Sequence, residues 1–216
     1  YEPSRRALRR SIQVFQRLPL TGGSCYDIHV AGAYNYMAED DRLEGNYDQA
    51  FLDYDQAILH NRSLGFYPGS AVFYTGYGVA AAQKGEERTA RSLFSYAAEL
   101  YRSSREFSCR PIAMSYLAYY QAQDGNYEGA AQALEDAFQV CGRIGSPWWL
   151  GMTLYQCWRI RALLDERGEN QPRLRALWPQ SRREHCLQCL EQLNKMQPTL
   201  ERTEMEQALP RLSTKE

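Results

Sequence analysis

The chain has few of the β-branched residues that strands favour. Val, Ile and Thr together number 18 of the 216 residues, whereas Ala and Leu number 23 each. Ala and Leu are strong helix formers, while β-branched side chains fit best on the pleated surface of a sheet. This composition predicts an all-α fold. A chain of 24.9 kDa has room for one large domain or for a compact repeat array.

The sequence also lacks an excess of charge of either sign. Lys and Arg number 25 and Asp and Glu number 26, so the formal net charge is -1 at pH 7. A protein that binds the phosphates of a duplex usually carries a broad positive field. We therefore expect no direct nucleic-acid binding by this chain.

Cysteines are sparse, and no long apolar run reads as a membrane span. The six cysteines are irregularly spaced, which indicates reduced thiols in a reducing cytosol rather than a disulfide framework. The uncharged stretch 63–83 contains a proline and four glycines, so we predict no membrane association and a cytoplasmic location. Because the chain begins with Tyr1 and no signal peptide follows, we expect it to be a piece of a longer protein.

Patterns typical of enzymes are missing as well. The three histidines lie far apart in the sequence, at His29, His60 and His185. The motif Gly76-x-Gly78-x-x-Ala81 matches that of a dinucleotide-binding loop. However, no strand signal precedes it and no acidic residue follows at the required spacing. We predict a protein that is not an enzyme and that has no cofactor.

One cluster has a spacing found in metal sites. In His185-Cys186-x-x-Cys189 two thiolates could share one zinc ion, but two further ligands are needed, and the nearest candidates are Cys157 and His60. The alternative is that the two cysteines lie one turn apart on an apolar helix face and pack as small hydrophobic residues. We favour the alternative and predict no metal site.

What the sequence does have is a repeat of 40 residues. A segment that begins with Gly and ends with Ala occurs three times, at 45–50, 85–90 and 125–130. A small residue stands seven positions before each Gly: Ala38, Gly78 and Ala118. Apolar stripes with helical spacing flank each Gly, which predicts two helices joined at a glycine cap. Since neither helix can bury its stripe alone, the hairpins must stack.

The repeat resembles the tetratricopeptide repeat. The first unit carries the consensus residues of that family at Ala38, Gly45, Tyr47, Ala50, Tyr54 and Ala57. The next two units depart at Glu87 and Leu134, and the period is 40 residues rather than about 34. The resemblance implies a right-handed superhelix of stacked antiparallel helix hairpins.

These units predict a single helical repeat domain over 1–216. The expected elements are an opening helix at 4–18, hairpins at about 26–62, 68–104, 109–143 and 147–196, and a capping helix at about 198–210. The fourth hairpin is degenerate, but Pro147 is a favourable first residue for its first helix.

By the same resemblance, the first helix of each hairpin lines a concave groove. Helical spacing then selects the groove residues Asn35, Glu39, Arg42, Thr75, Ser115, Tyr119, Tyr155 and Arg159. The groove grades from polar to aromatic, which suits a peptide, a protein segment or a small-molecule effector. The alternative is that several of these aromatic residues pack between hairpins. The Lys and Asn with which chaperone-binding members clamp a carboxylate are absent.

The C-terminus carries a second resemblance. Leu212-Ser213-Thr214-Lys215-Glu216 is similar to the start of the DNA-binding domain in LuxR-type bacterial transcription regulators. Their large MalT-like members place 40-residue hairpins directly before that domain. The resemblance implies the effector region of such a regulator without its DNA-binding domain, in which effector binding shifts a resting monomer towards a self-associated form. The alternative is a freestanding scaffold for protein interactions.

Overall fold

A computed structural model of the chain describes residues 1–17, 25–63, 69–104, 107–178, 181–195 and 199–212. Across these ranges the chain forms α-helices and one short 3-10 helix and contains no strand, so the all-α prediction is confirmed. The right-handed superhelix stays a prediction. Residues 213–216, four of the five behind the second resemblance, lie outside the described residues.

The chain divides into two compact units, 1–106 and 107–216. The N-terminal unit contains α1 (Glu2–Arg17), α2 (Cys25–Leu43), α3 (Tyr47–Ser63), α4 (Ser70–Lys84) and α5 (Glu87–Ser103). The C-terminal unit contains α6 (Arg110–Gln123), α7 (Tyr127–Ile144), α8 (Pro147–Glu166), α9 (Pro172–Arg175), α10 (Arg182–Leu193) and α11 (Leu200–Ala208), followed by the 3-10 helix Leu209–Arg211. Of the helices in the described ranges, none is both long and apolar enough to cross a membrane.

The repeated glycines end helices, as predicted. Gly45, Gly85 and Gly125 follow α2, α4 and α6 with φ of 80°, 88° and 78°, which is the left-handed region that suits glycine. In each case the next N–H bonds to the carbonyl five residues back, for example from Asn126 to Gln121 at 2.9 Å. These bonds satisfy carbonyls that the helix end leaves without partners. The chain can then turn directly into the second helix of the hairpin.

In the N-terminal unit the hairpins α2–α3 and α4–α5 pack against each other through α3 and α4. Small residues allow the close approach, since Ala38, Ala50 and Ala80 are fully buried around Tyr54. Helix α1 packs on α2 through Ile12 and its apolar neighbours.

In the C-terminal unit α6 pairs with α7, α8 packs on α6, and α10 packs on α8. Helix α8 begins at Pro147, as predicted, and the Ser146 hydroxyl caps it by accepting from the N–H of Trp149 at 3.4 Å. The four-residue helix α9 was not predicted. It follows α8 and precedes α10 in the chain, and its Leu174 is buried in the core with residues of α7 and α8.

Candidate functional site

Two predicted groove residues pair with each other in the N-terminal unit. Arg42 lies at the end of α2, and its Nη2 donates to Oε2 of Glu39 at 2.7 Å. Its Nη1 donates to Oε1 of Gln83, on α4, at 3.1 Å. Arg42 is buried. The pair therefore joins α2 to α4 rather than presenting two separate charges to solvent.

Glu39 has a further partner, which the sequence pattern placed only as a packing residue. The hydroxyl of Tyr54 on α3 donates to Oε1 of Glu39. Gly76 of α4 lies against both groups, and a Cβ at that position would come within 2.7 Å of each oxygen. Burial raises the pKa of Glu39, but Arg42 and Tyr54 outweigh it and hold that pKa below its ordinary value. Glu39 thus connects three helices as an ionised carboxylate.

Two hydroxyls at predicted groove positions bond to their own helices. Thr75 Oγ1 donates to the carbonyl of Ala71 at 2.7 Å, and Ser115 Oγ donates to the carbonyl of Ile112 at 3.0 Å. Both side chains are buried, whereas Asn35 is half-buried on α2. Within the described part of the chain, no hydrogen bond or ion pair joins these three residues to the other predicted groove residues.

Three predicted groove residues come together in the C-terminal unit. The guanidinium carbon of Arg159 on α8 lies 3.7 Å from the ring centre of Tyr119 on α6 and 6.0 Å from that of Tyr155. A cation over an aromatic face is attracted by the negative charge density of the ring. The packing of α8 on α6 creates this arrangement, because it brings the two helix faces that carry these residues into contact.

Two glutamines extend this group. Arg159 Nη1 donates to Oε1 of Gln156 at 3.2 Å, and Gln123 Nε2 donates to the Tyr119 hydroxyl at 3.0 Å. Gln156 is fully buried, and its Nε2 has no hydrogen-bond partner among the residues described. No ion pair links Arg159 to a carboxylate in the described ranges. We name this group the Arg159 cluster: Tyr119, Gln123, Tyr155, Gln156 and Arg159.

The capping helix α11 contacts the same face, which the sequence pattern did not predict. The Tyr155 hydroxyl donates to Oε2 of Glu204, and the Tyr116 hydroxyl donates to Oε1 of Glu201 at 3.5 Å. Burial and the bond to Glu204 raise the pKa of Tyr155, so this phenol is neutral at pH 7. Helix α11 therefore places two carboxylates against tyrosines of α6 and α8. Nothing in the spacing of these acidic residues indicates where the helix docks.

The cysteines of the metal-like cluster have separate backbone partners. Cys186 Sγ donates to the carbonyl of Met205 at 3.4 Å, and Cys189 Sγ donates to that of Gly151 at 3.5 Å. Both are fully buried, and burial raises the pKa of each thiol, so both are protonated at neutral pH. His185 donates from Nε2 to the carbonyl of Leu154 at 3.0 Å. No group of three metal-ligating side chains is found in the residues that the structure describes.

The glycine pair that resembles a nucleotide-binding loop lies in the middle of α4. A Cβ at Gly78 would come within 2.8 Å of the Phe94 ring, so this glycine serves the contact between α4 and α5. Because Gly76 and Gly78 lie in the interior of α4, the pair is not at the helix N-terminus, where a pyrophosphate would bind.

No protein-family model matches the sequence, and no curated protein is significantly similar to it.

Proposed function

We propose that this chain is a non-enzymatic recognition module that binds a small-molecule, peptide or protein effector at the Arg159 cluster. The observation that supports the proposal most directly is the meeting of Tyr119, Tyr155 and Arg159, three residues selected by repeat position alone, in one contact group. Aromatic faces with a few fixed polar groups are typical of ligand-binding surfaces.

The wider proposal is that the module is the effector region of a LuxR-type bacterial transcription regulator. Its support is the 40-residue period of the hairpins together with the sequence of the last five residues. In such a regulator the effector binds one state of the protein better than the other, and it shifts the population by that difference in affinity.

A thermal-shift screen tests the binding function. The chain is heated with libraries of small molecules and peptides, and a ligand is recognised by the rise in melting temperature that it causes. We expect a stabilising ligand whose effect is lost in Tyr119→Ala and in Arg159→Ala. The matched control is Arg143→Ala, which removes an exposed arginine of α7. A ligand whose effect survives both cluster variants binds elsewhere, and that result contradicts the assignment to the Arg159 cluster.

The reading frame distinguishes the regulator from a freestanding interaction scaffold, which is the second candidate. A helix-turn-helix domain of about 60 residues encoded directly after Glu216 supports the regulator. A stop codon at that point contradicts it and leaves the scaffold, whose support is the stacked hairpins alone.

A further inference from the structure

The Arg159 cluster holds more hydrogen-bond donors than acceptors. A guanidinium carries five N–H donors, and of the described groups only the Gln156 oxygen accepts from Arg159, at 3.2 Å. The amide nitrogen of the same glutamine is buried and has no acceptor in the described part of the chain. The Tyr119 hydroxyl accepts from Gln123, so its own O–H remains able to donate. Among the described residues, three donor groups therefore lie together, and each keeps at least one N–H or O–H that no acceptor uses.

The cluster also carries a positive charge that the described carboxylates do not neutralise. Burial acts to lower the pKa of Arg159, but nearby tyrosines, led by Tyr119 and Tyr155, outweigh it and hold that pKa above its ordinary value. Removing a cation from water without pairing it costs free energy. Rings can recover part of that cost, but an oxyanion would recover more.

The contact with Tyr119 also fixes the orientation of the guanidinium group. Arg159 is held over the Tyr119 ring at 3.7 Å and bonded at Nη1 to Gln156. A planar guanidinium fixed in this way can offer two parallel N–H groups to the two oxygens of a carboxylate with little further loss of entropy.

We infer that the Arg159 cluster binds a carboxylate group of the effector, with Arg159 donating to its oxygens and the half-buried Tyr119 ring contacting the adjoining apolar part. The inference rests on the proposed function and names the chemical class of its ligand. The cluster has one guanidinium, and its Tyr155 already binds the carboxylate of Glu204. Such a group suits a singly charged carboxylate better than a doubly charged phosphate. The carboxylate belongs either to a small organic acid or to the C-terminus of a peptide.

Isothermal titration of the whole chain with matched acids and amides tests this inference. The probes are hexanoate and hexanamide, benzoate and benzamide, and acetyl-pentaalanine with a free or an amidated C-terminus. We expect at least one acid to bind roughly tenfold more tightly than its amide, because only the acid can form a charge-assisted pair with Arg159. The pair with the tightest-binding acid shows whether the carboxylate comes from a small organic acid or from a peptide C-terminus, because the probes carry the same group on different molecules.

Two substitutions should change the acid affinity in opposite directions. Arg159→Gln removes the charge and should weaken acid binding roughly tenfold while leaving amide binding nearly unchanged. Glu204→Gln removes a neighbouring negative charge and should strengthen acid binding about threefold. Arg143→Gln, on the exposed end of α7, is the matched control for loss of an arginine. If circular dichroism shows that Arg159→Gln does not fold, Arg159→Lys, which keeps the charge but loses the planar fork, should still weaken acid binding.

The inference is overturned by acids that bind no better than their amides, by acid binding that is unchanged in the Arg159 variants, or by no acid binding up to about 10 mM. Inorganic phosphate that binds more tightly than every acid would also overturn it. If the only ligands found are neutral and their binding depends on Tyr119, the proposed recognition function holds and only the inference of a carboxylate ligand is rejected. If the broad thermal-shift screen yields no ligand at all, the proposed function itself fails.

Discussion

Gly78 of α4 lies directly against the ring of Phe94 of α5, so close that a Cβ at residue 78 would come within 2.8 Å of the ring carbon Cε1. Phe94 is fully buried, and its ring has no solvent side towards which it could shift. The small residue at this repeat position therefore sets how closely the two helices of the hairpin pack.

Substitution Gly78→Ala should destabilise the N-terminal unit by about 1–2 kcal/mol. The added methyl group overpacks a filled core, which typically costs about 1–3 kcal/mol, and the better helix propensity of Ala returns at most about 1 kcal/mol. The measurement is urea denaturation followed by circular dichroism at 222 nm.

The matched control is Gly32→Ala, in the interior of α2, where a Cβ would meet no atom within 4 Å. There only the propensity gain remains, so this variant should be stabilised by about 0.5–1 kcal/mol. Equal stability of the two variants would show that the contact with Phe94 does not limit the packing.

Substitution Tyr54→Phe should destabilise the N-terminal unit by about 1–2 kcal/mol. The tyrosine hydroxyl donates to Glu39, and its loss leaves one oxygen of a partly buried carboxylate without that donor. The free energy of unfolding, measured with urea, checks this expectation.

Tyr77→Phe provides the comparison for Tyr54→Phe, because Tyr77 packs on the Tyr54 ring with centroids 5.5 Å apart and is only partly buried. Its loss of a hydroxyl should change the stability by less than about 0.5 kcal/mol. If Tyr77→Phe lowers the free energy of unfolding as much as Tyr54→Phe does, the bond from Tyr54 to Glu39 does not account for the loss of stability.

Much of the fold could be predicted from the repeat, because the glycines that must adopt a left-handed conformation and the small residues at helix contacts are local requirements. Gly45, Gly85 and Gly125 each lie where the period placed them. The helix α9 was not predicted, because four residues are too short for a periodic signal.

The site was predictable only in part, because repeat position selects a helix face but not the partner that covers it. Tyr119, Tyr155 and Arg159 were selected by position, and they meet because α8 packs on α6. The contacts of Glu201 and Glu204 depend on where the last helix docks, which is a long-range packing choice that no local pattern encodes.

Substitution Asp53→Asn should stabilise the N-terminal unit at pH 7.5 by about 1 kcal/mol and have a smaller effect at pH 5. Burial, followed by the charge of Asp41, raises the pKa of Asp53 to about 6 from an ordinary value of 3.8. The folded state then binds more protons than the unfolded state between these values, so the contribution of Asp53 to stability is full below pH 3.8 and is lost as pH rises through 6. An amide at this position is neutral at every pH. Urea denaturation at the two pH values measures the difference.

The control for this prediction is Asp48→Asn. The Asp48 carboxylate is exposed, and in the described ranges its ion-pair partner is Lys84, which is itself partly exposed. Exposed ion pairs contribute little, so this variant should match the wild type within about 0.5 kcal/mol at both pH values. A gain for Asp53→Asn that is equal at pH 5 and pH 7.5 contradicts the titration of Asp53.

The C-terminal unit should respond to pH in the opposite direction, through His185. This side chain is fully buried, with Nε2 bonded to the Leu154 carbonyl and the ring stacked on Trp178 at 6.3 Å between centroids. Its Nδ1 is buried and has no hydrogen-bond partner in the described part of the chain, so a second proton there would have no acceptor. Burial accordingly lowers the pKa of His185 to about 4.

Because the folded-state pKa of His185 lies below its ordinary value of 6.5, the unfolded state binds more protons between pH 6.5 and 4. The stability that the neutral ring contributes is therefore complete above pH 6.5 and is lost as pH falls towards 4, by about 2–3 kcal/mol. In His185→Phe the absolute stability falls because the bond to Leu154 is lost, but the stability should depend less on pH across this window. Urea denaturation of the C-terminal unit, followed by tryptophan fluorescence at pH 7, 5.5 and 4.5, measures that slope. The exposed His29→Gln serves as the control, and a slope in His185→Phe as steep as in the control would contradict the prediction.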